Sequence, residues 1–198
     1  MKKILLTGFM PFGGEIVNPS WEIVSNINDN YNGNCIDKLE LPVVWGQAQD
    51  ILYKALDSKY YDYIIMIGQA GGENNIRIER VGLNICGAIL DEEKKYHRDL
   101  QMETSIFNDG ENAYFSSIEC ERILKAIKED NIKVKMSYSA GVFLCNYVLY
   151  SALYKVNKEK LNTKVGFIHV PYLKEQNKDN YMNFEDMKKA IEIAIDNC

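Results

Sequence analysis

Apolar positions along the chain alternate between two rhythms. Lys2–Thr7 is a short apolar run ending at Gly8, and it predicts a buried strand. Ile36–Val44 and Lys133–Ser137 read the same way. Tyr63–Ile67, an unbroken apolar run between Asp62 and Gly68, is the clearest strand. Lys164–His169 predicts a last strand, closed by Pro171. Between the strands, apolar residues recur three and four apart, which predicts helices. Trp21, Val24 and Ile27 follow Asn18-Pro19, a favoured N-cap with proline at the first helical position. Ala48, Ile51, Leu52, Ala55 and Leu56 form one face of Trp45–Ser58. Ser117–Asp130, capped by Ser116 or Ser117, turns Ile118, Ile123, Leu124 and Ile127 inward; Gly141–Lys155 is an apolar helix and Asn183–Asn197 an amphipathic one. Ile76–Ile85 alternates like a strand but slips at Glu79-Arg80, which predicts a bend or bulge. Ala88–Gly110 is charged and polar and predicts hairpins or loops.

Strands interleaved with helices at this spacing predict an α/β fold. The expected form is an open, mainly parallel twisted sheet flanked by helices on both faces, one domain over residues 1–198. Binding sites in such sheets lie outside the C-terminal ends of the strands. Four unusual segments fall at that edge: Gly8–Asn18, Gly68–Asn75, Tyr138–Cys145 and His169.

Composition narrows the function classes. A net charge of -5 argues against a nucleic-acid binder, which normally carries a basic face. No apolar run reaches membrane-spanning length, and Gly8 and Pro11 interrupt the N-terminal run too early for a signal segment. The five cysteines are widely spaced, odd in number and lack a CxxC pair, so free thiols in a reducing compartment are expected. These features together predict a soluble cytoplasmic protein.

The chemistry starts at Ser137-Tyr138-Ser139-Ala140-Gly141-Val142-Phe143-Leu144-Cys145. A strand ends, small residues turn, and a helix begins, which puts Cys145 in or near a first helical turn. Unpaired N–H groups and the positive dipole end there stabilise a thiolate and a developing oxyanion. A lone cysteine is more commonly a buried structural residue, so a base is needed to argue otherwise. Of two histidines, His169 ends an apolar strand at the same sheet edge. His97 lies in a charged run that reads as a solvated hairpin. Glu79, in an otherwise apolar extended segment, is the candidate to orient the imidazole. An ion pair with Arg77 or Arg80 is the alternative, since Arg77 and Glu79 share a face of an extended chain. Phe9 and Phe12, in the loop Gly8-Phe9-Met10-Pro11-Phe12-Gly13-Gly14, either wall a flat apolar pocket or fold back onto the core. Phe143 is a further candidate wall. That loop lacks the lysine and spacing of a phosphate-binding loop.

Four segments together resemble the pyroglutamyl peptidase I family of cysteine peptidases. They are Leu6–Gly14 continuing to Asn18-Pro19, Gly68–Gly72 with Glu79–Ile85, Ser137–Asn146, and Gly166–Leu173. The resemblance runs from the first strand to the last helix. It implies an exopeptidase that removes N-terminal pyroglutamate from peptides through a Cys-His-Glu triad on Cys145, His169 and Glu79. It also implies an open α/β fold, no cofactor and a homotetramer. Pyroglutamate is an uncharged lactam, so its site needs flat apolar walls and a few amide-type hydrogen bonds. Phe9, Phe12 and Phe143 fit the walls and Gln69 the hydrogen bond.

The chain departs from the family pattern in three places. Ile89 stands where family members carry an arginine, within Ala88–Glu92. Met10 replaces an aspartate. Arg77 replaces a serine or threonine, and either reaches the site or pairs with Glu79 and draws it off His169. Two other readings therefore stand beside the peptidase: a cysteine amidohydrolase of another small lactam or amide, and a binding protein without turnover.

Overall fold

The structure, a computed structural model, describes residues 1–87 and 104–198. The expectations for Ala88–Glu92, Ile89 and His97 lie outside the described residues. The chain runs β1 (Lys3–Phe9), α1 (Pro19–Ser25), β2 (Asn30–Tyr31), β3 (Asn34–Leu41), α2 (Gln47–Ser58), β4 (Tyr63–Gln69), β5 (Ile76–Glu79), β6 (Val81–Leu83), β7 (Ala113–Phe115), α3 (Cys120–Glu129), β8 (Val134–Ser137), α4 (Leu144–Lys158), β9 (Lys164–Val170), a 3-10 turn (Lys174–Gln176) and α5 (Phe184–Asp196).

Seven strands form one sheet in the order β2-β3-β1-β4-β9-β5-β8. The pairs β1–β3, β1–β4, β4–β9 and β5–β8 are parallel, while β2–β3 and β5–β9 are antiparallel. The sheet is therefore mainly parallel with helices on both faces, as the alternation of elements predicts. Residues of alternating strand positions fall into two cores. Ile4, Leu6, Ile65, Ile67, Ile76, Ile78 and Ile168 pack with α1, α3 and α5. Leu5, Phe9, Ile64, Met66, Val165 and Phe167 pack with α2 and α4. Burial on both faces explains why β4 reads as an unbroken apolar run.

Strand order reverses beside β1: the chain leaves β1 for β3 on one side and returns as β4 on the other. The β1–β4 ladder ends at Thr7 and Met66, although both strands continue beyond it. A crevice opens there, at the switch point where open α/β sheets bind ligands. Asn18 caps α1 by accepting from Ser20 N–H, with Pro19 behind it. A Cβ on Gly8 would lie 2.8 Å from the Trp21 backbone, so only glycine lets α1 start this close to β1.

The bend expected at Glu79-Arg80 is present: Ile76–Ile85 breaks at Arg80 into two strands of different sheets, β6 pairing with β7. Two expectations are corrected. Helix α3 begins at Cys120, because Ser116 and Ser117 are spent elsewhere: Ser116 Oγ donates to the Glu79 carbonyl and Ser117 Oγ accepts from Val165 N–H. Helix α4 begins at Leu144, because Gly141 has φ +81° and Phe143 is extended.

Candidate active site

Strand alternation decides what faces the crevice. On β5, Ile76 and Ile78 face the α1 side, which turns Arg77 and Glu79 to the α4 side. On β9, Phe167 faces α4, and His169 two residues on does the same. The antiparallel register sets Arg77 opposite His169 and Glu79 opposite Phe167. One pairing thus brings together residues ninety positions apart in sequence.

Glu79 has no solvent exposure and His169 is 4% exposed. An ionised carboxylate only accepts, so His169 Nδ1–H donates to Glu79 Oε1, at 2.7 Å. That fixes the tautomer and leaves Nε2 toward Cys145. Burial opposes the charged imidazolium, but the Cys145 sulfur and Glu79 outweigh it and raise His169 to about 9. The same Oε1 accepts from Arg77 at 3.0 Å. Arg77 therefore pairs with Glu79 without drawing it off His169.

Cys145 is the second residue of α4, inside the first turn, where backbone N–H groups lack helical partners. Phe143 precedes the helix without a side-chain cap, and no acidic residue occupies the first turn. A Cβ on Gly68 would lie 2.6 Å from the Phe167 ring and 3.1 Å from Cys145 Sγ, so glycine at this strand end makes room for the thiol. The Phe167 ring lies 4.7 Å from the imidazole, centroid to centroid.

The cleft holds about 700 Å³ and is lined by Phe9, Phe12, Phe143, Gln69, Arg77, Cys145 and His169, with Val43, Trp45 and Leu144 as further apolar walls. Among the described residues no Asp or Glu lines it. Gln69 borders the cleft, but it follows Ile65 and Ile67 in the β4 pleat, which turns its side chain to the opposite face. There Gln69 Oε1 accepts from Gln176 Nε2 at 3.0 Å, and Gln176 Oε1 from Leu173 N–H at 2.9 Å. The sequence reading missed Val43 and Trp45, which the turn from β3 to α2 brings here. It also missed Asn146. That buried amide accepts from Leu83 N–H and donates to the Leu83 and Ile85 carbonyls, tying β6 to the start of α4. An asparagine directly after the cysteine, at the head of an apolar helix, was the available signal.

The sequence model described as pyroglutamyl peptidase matches residues 2–198. The chain belongs to the pyroglutamyl peptidase family. It is 43% identical over 197 residues to a pyrrolidone-carboxylate peptidase of Brachyspira hyodysenteriae, covering 98% of this chain and 96% of the relative. Pyrrolidone-carboxylate peptidase 1 of Caldanaerobacter subterraneus is 42% identical, with 98% and 96% covered. The solved structure of pyroglutamyl peptidase I from Bacillus amyloliquefaciens superposes with a TM-score of 0.90 at 36% identity, covering 98% of this chain and 92% of that one. The pyrrolidone carboxyl peptidase from Thermococcus litoralis gives 0.91 at 33% identity, with 99% and 92% covered. Among the described residues no helix is long and apolar enough to cross a membrane, and no group of three or more metal-ligating side chains occurs.

Proposed function

We propose that this chain is a cysteine exopeptidase that removes pyroglutamate from peptide N-termini, with Cys145 as nucleophile, His169 as acid and base, and Glu79 holding the imidazole. The observation that carries it is the His169–Glu79 bond beside a first-turn cysteine, in a cleft whose lining, among the described residues, carries no carboxylate. That lining gives a free α-ammonium no counter-ion, whereas an uncharged lactam needs none.

Phe9, Phe12 and Phe143 supply the flat walls. Gln69 supplies the amide edge through its backbone. Ala70 N–H bonds to the Val170 carbonyl, so Ala70 faces β9 and alternation turns the Gln69 N–H and C=O toward β1. The β1–β4 ladder has ended by then. One residue thus offers a donor and an acceptor to the lactam, whose ring forces its own C=O and N–H onto one edge.

The Cys145 thiolate attacks the carbonyl joining pyroglutamate to the next residue. First-turn N–H groups of α4 hold the oxyanion. The His169 imidazolium protonates the leaving amine as the C–N bond breaks, leaving a thioester and a neutral imidazole. That imidazole then takes a proton from water, whose oxygen attacks the thioester; the Cys145 thiolate is expelled beside the imidazolium, and the released pyroglutamic acid gives its proton to solvent. The five cysteines, none in a disulfide, support a reducing, cytoplasmic setting. Assembly as a homotetramer is part of the same proposal, carried by the family resemblance.

Purified protein is expected to hydrolyse a fluorogenic pyroglutamyl amide, and the C145A variant to be inert while folded. No turnover by folded, reduced parent protein would sink this reading.

A further inference from the structure

Arg77 is the one permanently charged side chain lining the cleft among the described residues. Its Nη2 meets three acceptors: Glu79 Oε1 at 3.0 Å, the Ser139 carbonyl at 3.0 Å and Ser137 Oγ at 3.2 Å. Its Nη1 lies 3.7 Å from Glu73, which Lys135 holds at 2.8 Å. Ser137 and Ser139 belong to the turn that delivers Cys145. That turn passes through a left-handed Gly141 and enters α4 without a side-chain cap; Gly141 N–H donates to Ser139 Oγ and Ser137 Oγ to the Ser139 carbonyl, and Arg77 adds a brace from outside. Arg77 also stands directly opposite His169 across the β5–β9 pair.

We propose that Arg77 is a positioning residue: it braces the nucleophile turn against the carboxylate that orients His169, and its charge sets the pH range over which the Cys145–His169 ion pair exists. The guanidinium spans two ends: Nη2 reaches Glu79, the Ser139 carbonyl and Ser137 Oγ while Nη1 approaches Glu73, a reach that the single nitrogen of an ammonium lacks. Glu79 Oε1 serves two cations, and Oε2 has no partner, so Arg77 takes part of the carboxylate's pull on the imidazole. Among the described residues, the charged and titratable groups around His169 are Cys145 from α4, Glu79 and Arg77 from β5, then Glu73 from the β4–β5 loop and Lys135 from β8. Lys135 is spent on Glu73. Removing the Arg77 charge stabilises the His169 imidazolium, so the His169 limb of the reactivity profile moves to higher pH. A like charge at such range moves a titration by about one unit.

This inference rests on the peptidase reading only in taking Cys145 as the nucleophile, and its test is independent of substrate. The rate of Cys145 alkylation by iodoacetamide, located by mass spectrometry, is followed against pH in the parent, R77M and R77K. R77M is expected to shift the His169 limb up by about one unit, while R77K, which keeps the charge, overlays the parent. With a pyroglutamyl amide both variants lose roughly tenfold in kcat, from the lost brace, with KM moved far less. An R77M profile that overlays the parent, or R77K and R77M curves that shift alike, overturns the assignment. R77Q, which keeps a donor for Ser139 without the charge, gives the same comparison if R77M does not fold. A parent that alkylates normally yet leaves the pyroglutamyl amide intact defeats the peptidase reading, and the same curves still judge Arg77.

Discussion

At the scale of residues, the site is organised around one buried carboxylate. Glu79 has no water to solvate it and survives by sharing Oε1 between His169 and Arg77. E79Q is expected to fold and to lose roughly a hundredfold or more in kcat, because the amide no longer holds the imidazole tautomer as a carboxylate does. Steady-state kinetics with a pyroglutamyl amide measure this; unchanged kcat would remove Glu79 from the machinery. The raised His169 makes a second prediction. Its imidazolium persists through neutrality and is lost as pH rises through about 9. As the proton donor to the leaving amine disappears, kcat/KM should fall above that pH, and a profile that stays flat well beyond it would contradict the role. The polar outliers were legible as sequence, since a glutamate amid isoleucines and a histidine closing an apolar strand violate their surroundings. Their mutual geometry was not, because the β5–β9 pairing that joins them is long-range and antiparallel in a sheet that alternation predicts to be parallel.

At the scale of elements, two features hold the cysteine where it can act. The end of β4 passes directly beneath it, and only a glycine fits. G68A is expected to overpack the Phe167 ring and the thiol, at a cost of about 1–3 kcal/mol in stability together with a severe loss of activity. Denaturant unfolding and kinetics on one preparation check both parts. The second feature is Asn146, which binds α4 to β6. N146A leaves Leu83 N–H and two carbonyls without their side-chain partner and should destabilise the fold by about 2 kcal/mol or more. A variant as stable as the parent would show that water replaces the amide. Element boundaries were the weaker part of the sequence reading. The start of α4 moved from Gly141 to Leu144 through backbone conformation at Gly141 and Phe143, and α3 lost its expected serine cap to cross-strand bonds. Neither effect has a local sequence signature.

At the scale of the molecule, the cleft is assembled from β1, β4, β5 and β9 with the turns that follow β3 and β8, at the point where β1 and β4 part. Its walls are largely apolar and, among the described residues, free of carboxylates. A glutaminyl amide, which carries a free ammonium where pyroglutamate has a lactam, should react at least about a hundredfold more slowly in kcat/KM. Comparable rates on the two substrates would mean that the cleft does not select for a closed ring. The local pattern of the chain sets the two-faced α/β sheet, because period-2 and period-3.6 burial are local properties. It determined which side chains were chemically out of place, and the motifs that carry the family resemblance. The tertiary structure alone decided that Arg77 and His169 share one oxygen of Glu79, that Gln69 turns its side chain away from the thiol, and that Val43 and Trp45 wall the cleft. Those outcomes depend on strand order, register and pleat phase between segments far apart in sequence, which no local pattern encodes.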